Sequence, residues 1–222
     1  LVREGARPIS GDSGLDEIGA ETVSGRFDPA PGRGELAAED VQAAFVDDLL
    51  GMVDATALPE LTIVVNGGNG CAGPAVAELA KVLPCEIIPV FDQPDGTFPN
   101  GIPNPLLPEN RKETAAAVIK HQAQFGIAWD GDFDRCFFWD EKGNFIEGYY
   151  MVGLLAQEIL AREKGGKILH DPRLVWNTVE LVEAAGGIPV QTRTGHALIK
   201  ERMWQEQAVY GGEMSAHDYF RY

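Results

Sequence analysis

The chain has 222 residues, 45% hydrophobic and 23% charged, with 18 basic against 34 acidic side chains and a formal net charge of −16. That composition supports a folded core and excludes wholesale disorder; the length suits one large or two ordinary domains, and a pI near 4.5 leaves no basic footprint for nucleic acid. No run approaches the roughly 18 apolar residues of a membrane span, and LVREGARPIS has no apolar signal core, so neither a membrane partner nor secretion is expected.

Residues 1–39 are rich in Gly, Pro and acids, as in SGDSGLDE and FDPAPGRGE, and read as irregular structure or the end of a domain. From Asp40 the pattern turns helical: Val41, Phe45, Leu49 and Met52 recur at helical spacing behind Asp40 as N-cap. There follow an apolar strand LTIVV, a turn NGGNG, a helix AGPAVAELAKVL and a strand EIIPVF. FDQPDGTFPNGIPNPLLPEN is a long loop, a helix runs over 113–122, and GIAWD is a strand. FFWD, EKGN and FIEG make a hairpin, and YMVGLLAQEILAREK is a helix ended by Gly165 and Gly166. Strand KILHD, helix VWNTVELVEAAG, strand PVQTR, helix HALIKERMWQE and strand AVYGGE complete the alternation. The pattern is an α/β protein of two units with mixed, mostly parallel sheets covered by helices, divided near Glu147.

Cys71, Cys85 and Cys136 have no CxxC spacing and an odd count, which fits neither a zinc site nor a disulfide framework. They read as buried structural thiols of a cytoplasmic protein.

The strongest chemical signal is Asp130-Gly131-Asp132-Phe133-Asp134-Arg135, between the apolar GIAW and CFFW. If the chain curls around Gly131, three carboxylates converge, and a hard divalent cation relieves their repulsion. Oxygen-only ligands suit Mg²⁺, Mn²⁺ or Ca²⁺, and three protein oxygens leave room for phosphate and water, the Mg²⁺ pattern. Two rivals stand beside this reading. A helix–loop–helix calcium loop needs Gly at its sixth position, where Arg135 stands; a solvated acidic turn explains the acids but not the apolar strands around them. A second constellation is Gly211-Gly212-Glu213-Met214-Ser215-Ala216-His217. At alternate positions of a strand end, Glu213, Ser215 and His217 point to one side and suit sugar hydroxyls.

In this order DGDFDR, RTGHALIKERM and GGEMSAHDYFRY, with NGGNGCAGPAV and PDGTFPNGIPNPLLPE, resemble the bacterial phosphomannomutase/phosphoglucomutase family of α-D-phosphohexomutases over nearly the whole chain. The resemblance implies interconversion of mannose 6-phosphate and mannose 1-phosphate, with the glucose phosphates as further candidates, through a phosphoserine enzyme and a hexose 1,6-bisphosphate. It implies Mg²⁺ held by Asp130, Asp132 and Asp134, and Arg135 steadying phosphoryl oxygens. Glu213, Ser215 and His217 form the sugar-reading loop, Gly195 and His196 match the family's TGH at a helix start, and Arg173 falls where a basic residue often stands near the transfer site. Arg173 as a surface arginine and His196 as a helix-start residue remain the alternatives, and Lys200 and Arg202 read as solvated. Asp218 and Tyr222 depart from the commoner His and Asp.

The resemblance divides the chain into a first-domain remnant over 1–39, a second domain with the metal loop over 40–147, and a truncated third over 148–222. The family's Ser-His-Asn stretch lies upstream of the part that LVREGARPISGD matches, and the chain opens on Leu1 rather than Met. An internal fragment, inactive alone, is therefore expected. The competing classes are a non-catalytic divalent-cation or carbohydrate-binding module, which would coordinate Ca²⁺ without phosphosugar, and a pseudoenzyme. Oligomeric state is not legible.

Overall fold

The structure, a computed structural model, describes residues 1–28 and 31–221. Residues 29 and 30 of the FDPAPGRGE stretch, and the departure at Tyr222, lie outside the described residues. The chain folds as two compact units, one of residues 1–39, 153–212 and 219–222, the other of residues 40–152 and 213–218. The opening stretch is less irregular than its composition suggests. It holds helix α1, Leu15–Ser24, because LDEIGAETVS lacks Pro and places Asp16 and Glu17 in the first turn, where the helix dipole favours acids. Gly25, in the left-handed region at φ 65, ends it.

In the unit of residues 40–152, helix α2, Gln42–Met52, starts later than expected. Asp40 still contributes, its carboxylate accepting the N–H of Gln42 at 3.0 Å. The apolar face assigned to α2 is corrected: only Val46 is buried, while Val41, Phe45 and Met52 stay exposed. Strand β1, Thr62–Asn66, leads through α3, Ala72–Leu79, to β2, Glu86–Val90, the parallel crossover that the alternation predicts. Helix α4, Lys112–His121, then leads to β3, Phe125–Trp129, which returns parallel to β1. From there the sheet reverses: β4, Cys136–Trp139, and β5, Phe145–Ile146, are antiparallel additions, giving the order β2-β1-β3-β4-β5. Val64, Val118, Ala128, Phe137 and Trp139 form the core beneath it. Each large apolar side chain buried this fully contributes roughly 1.5–3 kcal/mol.

Helix α5, Gly148–Arg162, carries the chain into the other unit. There β6, Lys167–His170, α6, Trp176–Ala184, β7, Ile188–Gln191, α7, His196–Glu206, and β8, Tyr210–Gly212, repeat the alternation. A last strand that the sequence did not announce, β9, Asp218–Phe220, closes a sheet of order β7-β6-β8-β9. β6 runs parallel to both β7 and β8. Leu169, Ile199, Met203, Ala208 and Tyr219 form this unit's core.

Candidate functional site

β3 alternates buried and half-buried residues, and the alternation delivers Asp130 into a buried position just past its end. The loop 130–135 joins β3 to β4, whose first pair is Trp129 with Cys136. It turns as Phe133 N–H reaches the Asp130 carbonyl at 3.3 Å. The reversal falls on Phe133 (φ 68), not on Gly131 as expected. A bulky residue there is strained, and the Phe133 ring lies edge-on against Trp129 at 5.1 Å between centroids, a contact that offsets part of that cost. Gly131 instead serves close approach. The N–H of Cys71 donates to its carbonyl at 3.0 Å, and a Cβ on Gly70 would stand 2.5 Å from that oxygen. The NGGNG turn therefore holds the acidic loop from one side, a role that its glycines hinted at but that no local pattern specifies.

The loop brings Asp130, Asp132 and Asp134 together, with ligand oxygens within 4.8 Å of one another; Asp130 is buried, the other two exposed. Arg135 lies against Asp130, its backbone N–H donating at 3.1 Å, Nε at 2.7 Å and a terminal nitrogen pairing at 2.6 Å. Its Nε also stands 3.6 Å from Asp134 Oδ1. One guanidinium stands beside Asp130 and Asp134, and the loop carries a third carboxylate at Asp132, so it keeps an excess of negative charge. Burial raises the Asp130 carboxyl above its ordinary value; the Arg135 backbone N–H and charge pull it back, and Asp132 and Asp134 push it up again, leaving it raised. A divalent cation answers this excess with oxygen ligands. The residues present fit one, and the flanks are strands rather than the helices a helix–loop–helix calcium site needs.

Glu213, Ser215 and His217 belong to the same compact unit as this loop. They do not extend a strand, as expected, but converge through a tight turn after β8. Glu213 N–H donates to the His217 carbonyl at 3.0 Å, Ala216 N–H to the Glu213 carbonyl at 3.1 Å, and Ala216 sits at φ 68. Glu213 is buried. His217 Nδ1 meets Glu213 Oε2 at 2.8 Å and Ser215 Oγ at 3.0 Å, while Nε2 meets Asp134 Oδ2 at 3.3 Å. Desolvation works against a charged imidazole, but the Glu213 hydrogen bond and the charges of Asp134 and Glu213 outweigh it and the opposing Arg135, so the His217 pKa is raised. The Cys136 N–H donates to the Ala216 carbonyl at 3.0 Å, a backbone tie between the two loops.

Arg173, Gly195 and His196 lie in the other unit. Arg173 follows β6, its backbone N–H and guanidinium both on the buried carboxylate of Asp171. It is half exposed, but oriented rather than loose. Gly195 (φ 131) caps α7, and the ring of His196, first residue of that helix, stands 5.4 Å from Tyr219. The buried-thiol reading is corrected for Cys71, which is exposed; Cys85 and Cys136 are half-buried. Burial and then the Asp218 charge push the Cys136 thiol up.

Fold and site together define a chain of α/β/α units with a loop of three clustered carboxylates and a polar loop beside it. It belongs to the phosphoglucomutase/phosphomannomutase family: the model of the family's alpha/beta/alpha domain II matches residues 43–143, and that of its alpha/beta/alpha domain III matches residues 147–222. A Xanthomonas campestris pv. campestris protein named for phosphohexose mutases is 61% identical, covering 100% of this chain and 49% of that protein. The phosphomannomutase of Escherichia coli K12 is 57% identical, with 100% and 50% covered. The chain thus spans about half the length of the curated relatives it matches. A solved phosphoglucomutase/phosphomannomutase family protein from Burkholderia thailandensis superposes with a TM-score of 0.89 at 35% identity, covering 96% of this chain and 45% of that one.

Proposed function

We propose that these residues form the cation- and sugar-holding part of a phosphohexomutase that interconverts mannose 6-phosphate and mannose 1-phosphate, and takes the glucose phosphates too, through a hexose 1,6-bisphosphate. The observation that carries this reading is the meeting, within one unit, of Asp130, Asp132, Asp134 and Arg135 with Glu213, Ser215 and His217. The relatives named for phosphomannomutase and phosphohexose mutase activity support it.

In this reading Asp130, Asp132 and Asp134 hold Mg²⁺, which supplies charge neutralisation for a phosphoryl group when bound. Arg135, fixed by Asp130, presents its guanidinium beside them and steadies phosphoryl oxygens. Glu213, Ser215 and His217 accept and donate hydrogen bonds to sugar hydroxyls that both phosphosugar orientations present. Residues 148–222 act as the family's third domain, residues 40–147 as a second and residues 1–39 as the end of a first; Arg173, Gly195 and His196 are the positions of that third domain that the resemblance assigns to the reaction and its substrate. The free cysteines suit the cytoplasm, and no helix among the described residues is long and apolar enough to cross a membrane.

The phosphoserine that the resemblance implies sits in a Ser-His-Asn stretch, and none occurs among the 222 residues. The test follows conversion of mannose 1-phosphate to mannose 6-phosphate by phosphorus NMR. One sample is the 222-residue chain; the other joins these residues to a Ser-His-Asn phosphoserine stretch. The reading predicts magnesium-dependent turnover only in the second, abolished by Asp132→Ala. Turnover by the 222 residues alone, or turnover indifferent to Mg²⁺ and to Asp132, contradicts it.

A further inference from the structure

We propose that His217 is a positioning residue for the cation ligand Asp134, and that the same imidazole couples occupancy of the cation loop to the state of the sugar loop. The inference rests on the cation reading above and adds to it a residue outside the acidic triad.

The two loops meet through backbone and through side chains. One is the backbone tie from Cys136 N–H to the Ala216 carbonyl, at 3.0 Å. It fixes the loops without sensing what either holds. The other runs through side chains, and there His217 stands in the middle: Nε2 faces Asp134 Oδ2 at 3.3 Å, and Nδ1 faces Glu213 Oε2 at 2.8 Å and Ser215 Oγ at 3.0 Å. An imidazole is rigid, so its two nitrogens cannot be re-aimed independently; a small rotation that improves one contact changes the other.

Asp134 needs such a holder. Asp130 is buried and gripped by Arg135 through backbone and guanidinium, whereas Asp134 is exposed and its own contact to Arg135 Nε is 3.6 Å, too long for a hydrogen bond. His217 therefore orients the Asp134 carboxylate. Outer partners of this kind commonly change metal affinity by about 10–100-fold when removed. Because the ring also bonds Glu213 and Ser215, a cation that draws on Asp134 must be felt in the sugar loop, and by linkage a sugar group on Glu213 or Ser215 changes cation affinity by the same factor.

The experiment titrates the 222-residue chain with Mg²⁺ at fixed pH, reading affinity by calorimetry and the response of backbone amides and the His217 ring nitrogens by ¹⁵N NMR. Expected are shifts at His217 Nε2, Glu213 and Ser215 that saturate together with those of residues 130–135. His217→Ala should weaken Mg²⁺ about tenfold and uncouple Glu213 and Ser215. His217→Gln, whose amide nitrogen reaches toward Asp134, should recover most of the affinity; general loosening of the turn would not be rescued in this way. Wild-type affinity in His217→Ala, or Mg²⁺ shifts confined to residues 130–135 in the wild type, overturns the inference while leaving the cation site standing. Absence of any Mg²⁺ response in the wild-type chain overturns the cation reading and this inference with it. Should His217→Ala fail to fold, the wild-type ring shifts and His217→Gln decide the matter.

Discussion

Asp130 and Asp171 begin alike. Each is a buried carboxylate just past an apolar parallel strand, β3 or β6, and each pairs with an arginine a few residues on, Arg135 or Arg173. Around Asp171 a backbone N–H and a guanidinium both come from Arg173. Around Asp130 the same device is followed by Asp132 and Asp134, and the Asp130 carboxyl is raised despite its arginine. Burial against a backbone N–H and a guanidinium gives a locked turn. Burial with one partner and two further carboxylates leaves charge that calls for a cation.

The contrast breaks most visibly under mutation of the two acids. Asp171→Ala leaves Arg173 without the buried carboxylate it grips and removes an acceptor from the turn, and should destabilise its unit by about 3 kcal/mol in urea unfolding. Asp132→Ala, in the metal-free chain, should change stability by no more than about 0.5 kcal/mol, since it removes repulsion. Next comes ligand linkage: Mg²⁺ at about 100 times its dissociation constant should stabilise the unit of residues 40–152 by about 2.7 kcal/mol, read as slowed amide exchange there and not around Asp171. Asp132→Ala should abolish that protection. Gly70→Ala sharpens the comparison from outside the triad. Its Cβ would stand 2.5 Å from the Gly131 carbonyl, and the displaced loop should cost about 1–3 kcal/mol and weaken Mg²⁺, with Asp171 amides unmoved.

A further, small effect is that of pH. The pKa of His217 is raised in the fold, so protonation is favoured there; its contribution is fully present below the unfolded value near 6.5 and is lost as pH rises through the folded value. The Asp130 carboxyl, also raised, has the same sign from 3.8 upward. Metal-free stability of this unit should therefore fall, by less than about 1 kcal/mol, as pH rises from 6.5 to 8.5 in urea titrations, and the slope should flatten in His217→Ala.

Much of this was legible in the sequence because it is local. The strand–turn–helix alternation, the EKGN hairpin and the spacing of three aspartates are short-range patterns, and each appears in the fold. What escaped was set by tertiary approach. The Phe133 reversal is held by Trp129, the Gly70 contact depends on a distant loop, and the His217 bridge joins segments remote in sequence. α2 shows the opposite error, a helical spacing whose apolar face stays largely exposed. α1 was hidden by Gly and acids whose composition resembles a loop, although its ten residues contain no Pro.

The most direct test of the cation site is a crystal of the chain soaked in Mn²⁺ and measured for anomalous scattering. The account predicts one strong peak among the carboxylates of Asp130, Asp132 and Asp134, at roughly 2.0–2.3 Å from their oxygens, with further positions taken by water or phosphate, and none at Asp171. An empty 130–135 loop under saturating Mn²⁺, or a peak at the Asp171–Arg173 turn, would contradict it.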